Sequence, residues 1–220
     1  MKSVHQLSAV FRLSFCLLIL FMLISALPAT AGGVDGLSMD VLHLKLGVHG
    51  YRIGKRLTAG QKKTAAENPV GNAYAGTYKF LDHGLAVVVD KKTDRVLALF
   101  KRVADADQGQ LKDMIASLMD QFGLPTAMAH DRIIYWAFNR HGAVSEEDFE
   151  RAKKNKQIAG LGIIATVKLN SQLKIISDKV EDKALDKKMS AADKKKPATG
   201  TIYFIVTSDP LLKAFVDGQN

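Results

Sequence analysis

A binding site is predicted near the middle of the chain, at His130, Asp131, Tyr135 and Trp136. An imidazole beside a carboxylate can exchange protons, and a loop that leads into a strand can expose both groups. Tyr135 and Trp136 follow within residues 133–138, whose β-branched and aromatic composition predicts a buried strand. Two structural interpretations compete with this site: a hydrogen-bonded turn at His130 and Asp131, and a core role for the aromatic rings.

Other residue types that could support catalysis or bind a metal do not form a motif. The histidines beyond residue 31 include no pair at i, i+4 spacing with a carboxylate between them, the pattern of a zinc-binding helix. Residues 49–56 superficially resemble a phosphate loop, but His49 stands where glycine is needed and Arg56 where Ser or Thr is needed. We therefore expect no catalytic residue, no metal, no cofactor and no enzyme activity. An unrecognised hydrolase that uses His130 and Asp131 is the further alternative.

The first 31 residues have the pattern of a cleavable export signal. Lys2 and Arg12 are followed by the apolar run 13–27, and Ala29 and Ala31 offer the small side chains that signal peptidase requires. The run is shorter than the roughly 20 residues that a membrane-spanning helix needs. We expect cleavage near Ala31 and a periplasmic or secreted protein. An inner-membrane protein anchored through an uncleaved signal is the alternative.

Amino-acid composition limits the kinds of chemistry and of partner that we expect for the exported chain. Cys16 is the sole cysteine and leaves with the signal, so disulfides, thiol catalysis and cysteine metal sites are excluded. Without Lys2 and Arg12, the 31 basic residues fall to 29 against 22 acidic ones. This excess favours anionic partners such as lipid head groups or acidic polymers. Nucleic acid is not expected, because aromatic residues do not interleave with the basic ones. The oligomeric state stays open.

Helix and strand patterns predict an α+β fold, with antiparallel sheet and helices packed on one face. Capping boxes at 58–61 and 107–110 begin two helices, the second with an apolar face over 111–122. Ser145 begins a peripheral helix within 145–157, and Ser208 begins a terminal one. Strands are predicted at 39–46, 76–81, 85–90, 95–102, 133–138, 161–169 and 201–206, with a further short one at 173–176.

The order of these elements occurs twice. A capped helix, a break and three strands occupy residues 55–104, and the same order returns in 105–220. The second copy is enlarged by the inserted helix 145–157 and by a lysine-rich loop, 178–200. We expect this loop to be mobile because it has almost no apolar residue to bury. Two α-β-β-β units are therefore predicted, preceded by an entry segment at 32–54.

Several short segments resemble those of a known family. One is FGLP at 122–125, which is followed by the aromatic pair YW at 135–136. The others are GTYKF at 76–80, LAVVV at 85–89 and RVL at 95–97. With them, about half of the exported chain resembles envelope proteins of the SmpA/OmlA type, the outer-membrane assembly lipoproteins, and their tandem relatives. The lipidated cysteine of that family is absent. The resemblance implies a non-catalytic envelope role with protein partners.

Two classes of function are open at this point. The first is an exported, non-enzymatic envelope protein that binds a protein or an envelope polymer through sheet edges and basic loops. The second is a small-ligand or lipid carrier, with its cleft between helix 111–122 and strand 133–138.

Overall fold

The computed structural model describes residues 34–71, 73–175 and 198–218. The predicted export signal and most of the predicted lysine-rich loop lie outside these residues. The helices are α1 (Val34–His43), α2 (Ala59–Glu67), α3 (Gln108–Phe122), α4 (Glu146–Lys154) and α5 (Asp209–Asp217), with a 3-10 helix at Ile158–Leu161. The strands are β1 (Gly47–Val48), β2 (Tyr51–Arg52), β3 (Thr77–Asp82), β4 (Leu85–Asp90), β5 (Val96–Ala106), β6 (Ala127–Ala129), β7 (Ile133–Asn139), β8 (Gly142–Ala143), β9 (Ala165–Ser171) and β10 (Gly200–Thr207).

Eight strands form one antiparallel sheet in the order β3-β4-β5-β10-β9-β7-β6, with β8 paired to β7. β1 and β2 form a separate hairpin. In the middle of the large sheet β5 pairs antiparallel with β10, from Ala98 opposite Thr207 to Ala106 opposite Gly200. The last strands of the two predicted units therefore lie side by side, and the two strand sets form one sheet. The predicted α+β class is confirmed, whereas the duplication stays a prediction.

One face of the sheet forms the hydrophobic core. A row of side chains crosses six neighbouring strands, and each member is at most 1% exposed: Phe80, Val87, Leu99, Val206, Val167 and Trp136. Apolar residues of α1, α2, α3 and α5 pack into the same core. Burying each such side chain contributes roughly 1.5–3 kcal/mol, so this face holds the helices on the sheet.

Helices α2 and α3 begin where their capping boxes predict. Thr58 accepts a hydrogen bond from the Gln61 amide, and the Gln61 side chain accepts one from the Thr58 amide. Asp107 and Gln110 form the same reciprocal pair at the start of α3. These bonds satisfy amides that the first helical turn leaves unpaired. Ser145 likewise caps α4 through the amide of Asp148.

The predicted strand at 39–46 is wrong, because most of this segment belongs to helix α1. The alternation that suggested a strand coexists with a helical spacing at Leu37, Val41 and Leu44. Val41 is fully buried, and Leu37 and Leu44 pack against the core. Helical spacing prevails because it places these three side chains on one side of the chain, facing the core.

Two smaller predictions also differ from the structure. The strand predicted at 161–169 begins only at Ala165, because a 3-10 helix occupies Ile158–Leu161. Residues 173–175 of the strand predicted at 173–176 are irregular. The Ile175 amide donates to the Asp131 carbonyl at 2.6 Å, so this segment is tied to a turn and does not continue a strand.

Candidate functional site

His130 and Asp131 lie in the tight turn between β6 and β7. Both have positive φ, 53° and 51°, and the Arg132 amide donates to the Ala129 carbonyl at 3.2 Å. Two consecutive positive φ values are typical of the turn that matches the twist of a hairpin. Both side chains are exposed, and neither has a hydrogen-bond partner among the described residues. The structure therefore gives this pair a turn-forming role, in agreement with the competing structural interpretation.

Tyr135 and Trp136 lie on opposite faces of the sheet, as neighbours in a strand must. Trp136 is 1% exposed in the core, and its indole N–H donates to the Gly123 carbonyl at 2.9 Å. Tyr135 is partly exposed on the other face. A single small ligand cannot contact both side chains, so the four predicted residues do not form one site.

The interface between α3 and β7, where a carrier would hold its ligand, is packed. Leu111, Leu118 and Phe122 of α3 are all buried. The Phe122 ring lies 6.4 Å from the rings of both Trp136 and Phe138, measured between centroids. These contacts fill the predicted cleft with core side chains and give the carrier hypothesis no support at this place.

The opposite face of the sheet is partly exposed from β3 to β7, and we call it the open face. Its members alternate with the core residues along each strand. Thr77, Ala86, Asp90 and Ala137 share this register but are buried. The remaining members are partly or fully exposed. They are Lys79, Leu81, Val88, Ala98, Phe100, Arg102, Tyr203, Ile205, Thr207, Thr166, Lys168, Asn170, Ile133 and Tyr135.

The open face combines an apolar centre with positive charge. Phe100 of β5 stacks on Tyr203 of β10, with ring centroids 6.0 Å apart and an interplanar angle of 30°. Ile205 is the cross-strand partner of Phe100 and continues the apolar surface. The exposed or partly exposed charged members of the face are three cations, Lys79, Arg102 and Lys168. The Asp90 carboxylate has the same register but is buried and accepts hydrogen bonds from the Lys92 amide and the Thr93 hydroxyl.

Helix α4 reaches one end of the open face. The Phe149 ring lies 6.2 Å from that of Tyr135, and Lys168 is the cross-strand partner of Tyr135. Burial, with a smaller contribution from Asp209, raises the pKa of Tyr135 to about 12. Packing around the Asp209 carboxyl raises its pKa, although the residue stays exposed and Lys168 acts in the opposite direction. The cluster is therefore an aromatic contact between Tyr135 and Phe149 with the charges of Lys168 and Asp209 close by.

The raised tyrosine pKa values predict a loss of stability at high pH. A tyrosine whose pKa is about 10 in the unfolded chain and higher in the fold stabilises the fold below pH ~10, and this contribution is lost as the pH rises toward the folded value. Burial and the hydrogen bond to Asp94 also raise the pKa of Tyr78 to about 12. We expect urea unfolding to show lower stability at about pH 11 than at about pH 9, and a smaller decrease for Tyr135→Phe. An equal decrease in both proteins would contradict the role of Tyr135.

The sheet edges are poorly suited to bind another chain. The outer edge of β3 is covered, since the Val70 amide donates to the Lys79 carbonyl and the Leu81 amide to the Asn68 carbonyl. At the other end β6 is only three residues long. Covered and short edges are the usual protection against unwanted strand pairing. The structure therefore favours the open face over the edges as a binding surface.

A concavity of about 870 Å³ lies between the β7–β8 hairpin, α4 and the 3-10 helix. Its main polar groups already have partners. Asn139 donates to the Leu161 carbonyl and accepts from the His141 amide, while Arg151 pairs with Asp148. The Asn139–Leu161 bond joins the hairpin to the 3-10 helix, and the other two lie within the hairpin and within α4, so these groups have a structural role.

Comparison with known proteins identifies no relative: no family model, curated protein or solved structure matches the chain. In the described ranges no helix has the length and apolarity to span a bilayer. The same residues contain no group of three or more His, Cys, Asp or Glu side chains placed to hold a metal ion.

Proposed function

We propose that this chain is an exported, non-enzymatic envelope protein that binds a protein partner on the open face. The observation that carries the proposal is the partly exposed apolar surface of the two central strands, formed by Phe100, Tyr203 and Ile205 on the side of the sheet away from the core. Contiguous apolar surface of this kind is uncommon on proteins that bind nothing.

The chemistry of the open face suggests the character of its partner. Aromatic side chains are enriched in the energetically important centres of protein interfaces, which the Phe100–Tyr203 stack resembles. Lys79, Arg102 and Lys168 would attract carboxylates and exclude cationic partners. The partner we propose therefore presents apolar side chains flanked by Asp or Glu.

The envelope location follows from the signal pattern in residues 1–31 and is part of the proposal. An extracytoplasmic partner also agrees with the role that the resemblance to outer-membrane assembly lipoproteins implies. The missing lipidation site separates the chain from those proteins, and the proposed protein would reach its partner by diffusion after signal cleavage.

Affinity capture tests this function. The full chain is expressed in an exporting host, and the protein recovered from the envelope is immobilised and exposed to envelope extract from its own organism. We expect a discrete protein to be retained at about 0.15 M salt and released at about 1 M, because screening weakens the contribution of the three cations. Recovery of nothing specific at 0.15 M would contradict the proposal.

A further inference from the structure

A second concavity lies where the β1–β2 hairpin meets helix α3, remote in sequence from the strands of the open face. We call it the hairpin pocket. Its volume is about 450 Å³, within the usual range for small-molecule sites. The residues that line it are Lys45, Gly47, Val48, His49, Gly50, Tyr51, Arg52, Ser117 and Gln121.

The hairpin is held in a fixed position. The Gln121 side chain of α3 donates to the Gly47 carbonyl at 2.5 Å, and the Ile53 amide donates to the Leu46 carbonyl at 3.0 Å. Tyr51 is 2% exposed and packs edge-on against Phe80 in the core. The backbone that carries Lys45 and Arg52 is therefore positioned before a ligand binds, although these two side chains are exposed.

The tight turn of the β1–β2 hairpin depends on glycine at two positions. Gly50 has φ +82°, and a Cβ at Gly47 would lie 2.0 Å from the Tyr51 carbonyl oxygen. His49 has φ 52°, so His49 and Gly50 form a two-residue turn with positive φ at both positions. Gly50, one of the glycines that made residues 49–56 resemble a phosphate loop, thus serves a tight hairpin turn.

Two positively charged side chains, Lys45 and Arg52, line the pocket, and none of the lining residues is a carboxylate. The side chains of Lys45 and Arg52 have no hydrogen-bond or ion-pair partner among the described residues. Asp82, which accepts a hydrogen bond from the Tyr51 hydroxyl at 2.8 Å, is not one of the lining residues.

We propose that the hairpin pocket binds a phosphate group. Arginine can donate two parallel hydrogen bonds to phosphate, and lysine adds a compact charge. A phosphate presents more acceptor oxygens than a carboxylate and carries more negative charge, so it suits a site with Lys45, Arg52 and the Ser117 hydroxyl better. The phosphate belongs either to a lipid head group or to a soluble compound. This site is independent of the partner proposed for the open face.

The test compares wild type with Lys45→Gln/Arg52→Gln, both prepared from the full chain in an exporting host. Glutamine removes the charge, stays unbranched and polar although shorter, and keeps a Cβ at position 45, where φ is 55°, so the backbone conformation is not relieved. NMR titration with inorganic phosphate should shift resonances of residues 45–52 and 117–121 in wild type. The double variant should bind at least about tenfold more weakly, because it loses two charge-assisted donors.

Lys91→Gln/Lys92→Gln is the matched control. It removes the same net charge from exposed positions in the β4–β5 turn and should bind like wild type. Ser117→Ala is a milder variant for use if the double variant has lost its circular dichroism spectrum. It should weaken phosphate binding severalfold. Unchanged affinity in the correctly folded double variant would overturn the proposal, and so would an equal loss in the control.

Vesicles identify the source of the phosphate. Binding to phosphatidylglycerol vesicles and not to phosphatidylcholine vesicles at about 0.15 M salt, lost in the double variant alone, would assign the pocket to an anionic lipid head group. Binding of inorganic phosphate without vesicle binding would assign it to a soluble phosphate compound. If neither probe affects residues 45–52, the pocket does not bind phosphate and the proposal is wrong.

Discussion

Trp136→Ala is expected to lower the free energy of unfolding by about 3–5 kcal/mol. The indole is 1% exposed, lies against Phe122 and donates a hydrogen bond to the Gly123 carbonyl. The substitution leaves a cavity between the sheet and α3 and removes the partner of that carbonyl. Since domains of this size have about 5–15 kcal/mol of stability, urea unfolding followed by circular dichroism should show a much earlier transition.

Trp136→Phe separates the two causes of this loss. Phenylalanine retains most of the ring contact with Phe122 but cannot donate to the Gly123 carbonyl. We expect a smaller decrease, made up of the roughly 0.5–1.5 kcal/mol of a lost hydrogen bond to the carbonyl of the exposed Gly123 and of the lost ring volume. A Trp136→Ala protein within about 1 kcal/mol of wild type would show that β7 and α3 are not packed as described.

Phe100→Ala/Tyr203→Ala is expected to weaken partner binding by about 30-fold or more. The two stacked rings lie at the centre of the open face, and truncation of central aromatic residues typically costs about 2 kcal/mol or more of binding energy. Stability should change little by comparison with Trp136→Ala, because both side chains are partly exposed. Surface plasmon resonance with the captured partner measures the change in affinity.

Tyr74→Ala is the control for that loss. Tyr74 is 62% exposed, and it precedes β3 outside the open face. Its removal deletes an exposed aromatic ring of the same kind without touching the proposed interface, so affinity should stay within about twofold. Equal weakening by both substitutions would mean that the partner does not recognise the open face.

Local signals in the sequence were sufficient to predict where most helices begin. The capping pairs Thr58–Gln61 and Asp107–Gln110 have short-range hydrogen bonds that do not depend on the rest of the fold. α1 was not predicted, because its apolar residues are spaced in a way that fits both a helix and a strand. Only packing against the core distinguishes the two conformations. β6 and β8, with three and two residues, are too short to have a period.

The composition of the strands gave no sign that one face of the sheet is partly exposed. β4 and β10 contain near-continuous apolar runs, a pattern that normally indicates burial on both faces. Pairing of β5 with β10 links residues about 100 positions apart, and no local signal specifies it. The residues of the predicted site are separated for a related reason, since adjacent residues such as Tyr135 and Trp136 must point to opposite faces once the strand is placed.

Photocrosslinking from the open face tests the central proposal most directly. Benzoylphenylalanine replaces Tyr203 in one strain and Tyr74 in another, so that both positions keep an aromatic side chain in the full chain expressed in its own organism. Irradiation of cells should give a discrete protein adduct from position 203, and position 74 should give none. An adduct from position 74 with none from position 203 would contradict binding at the open face.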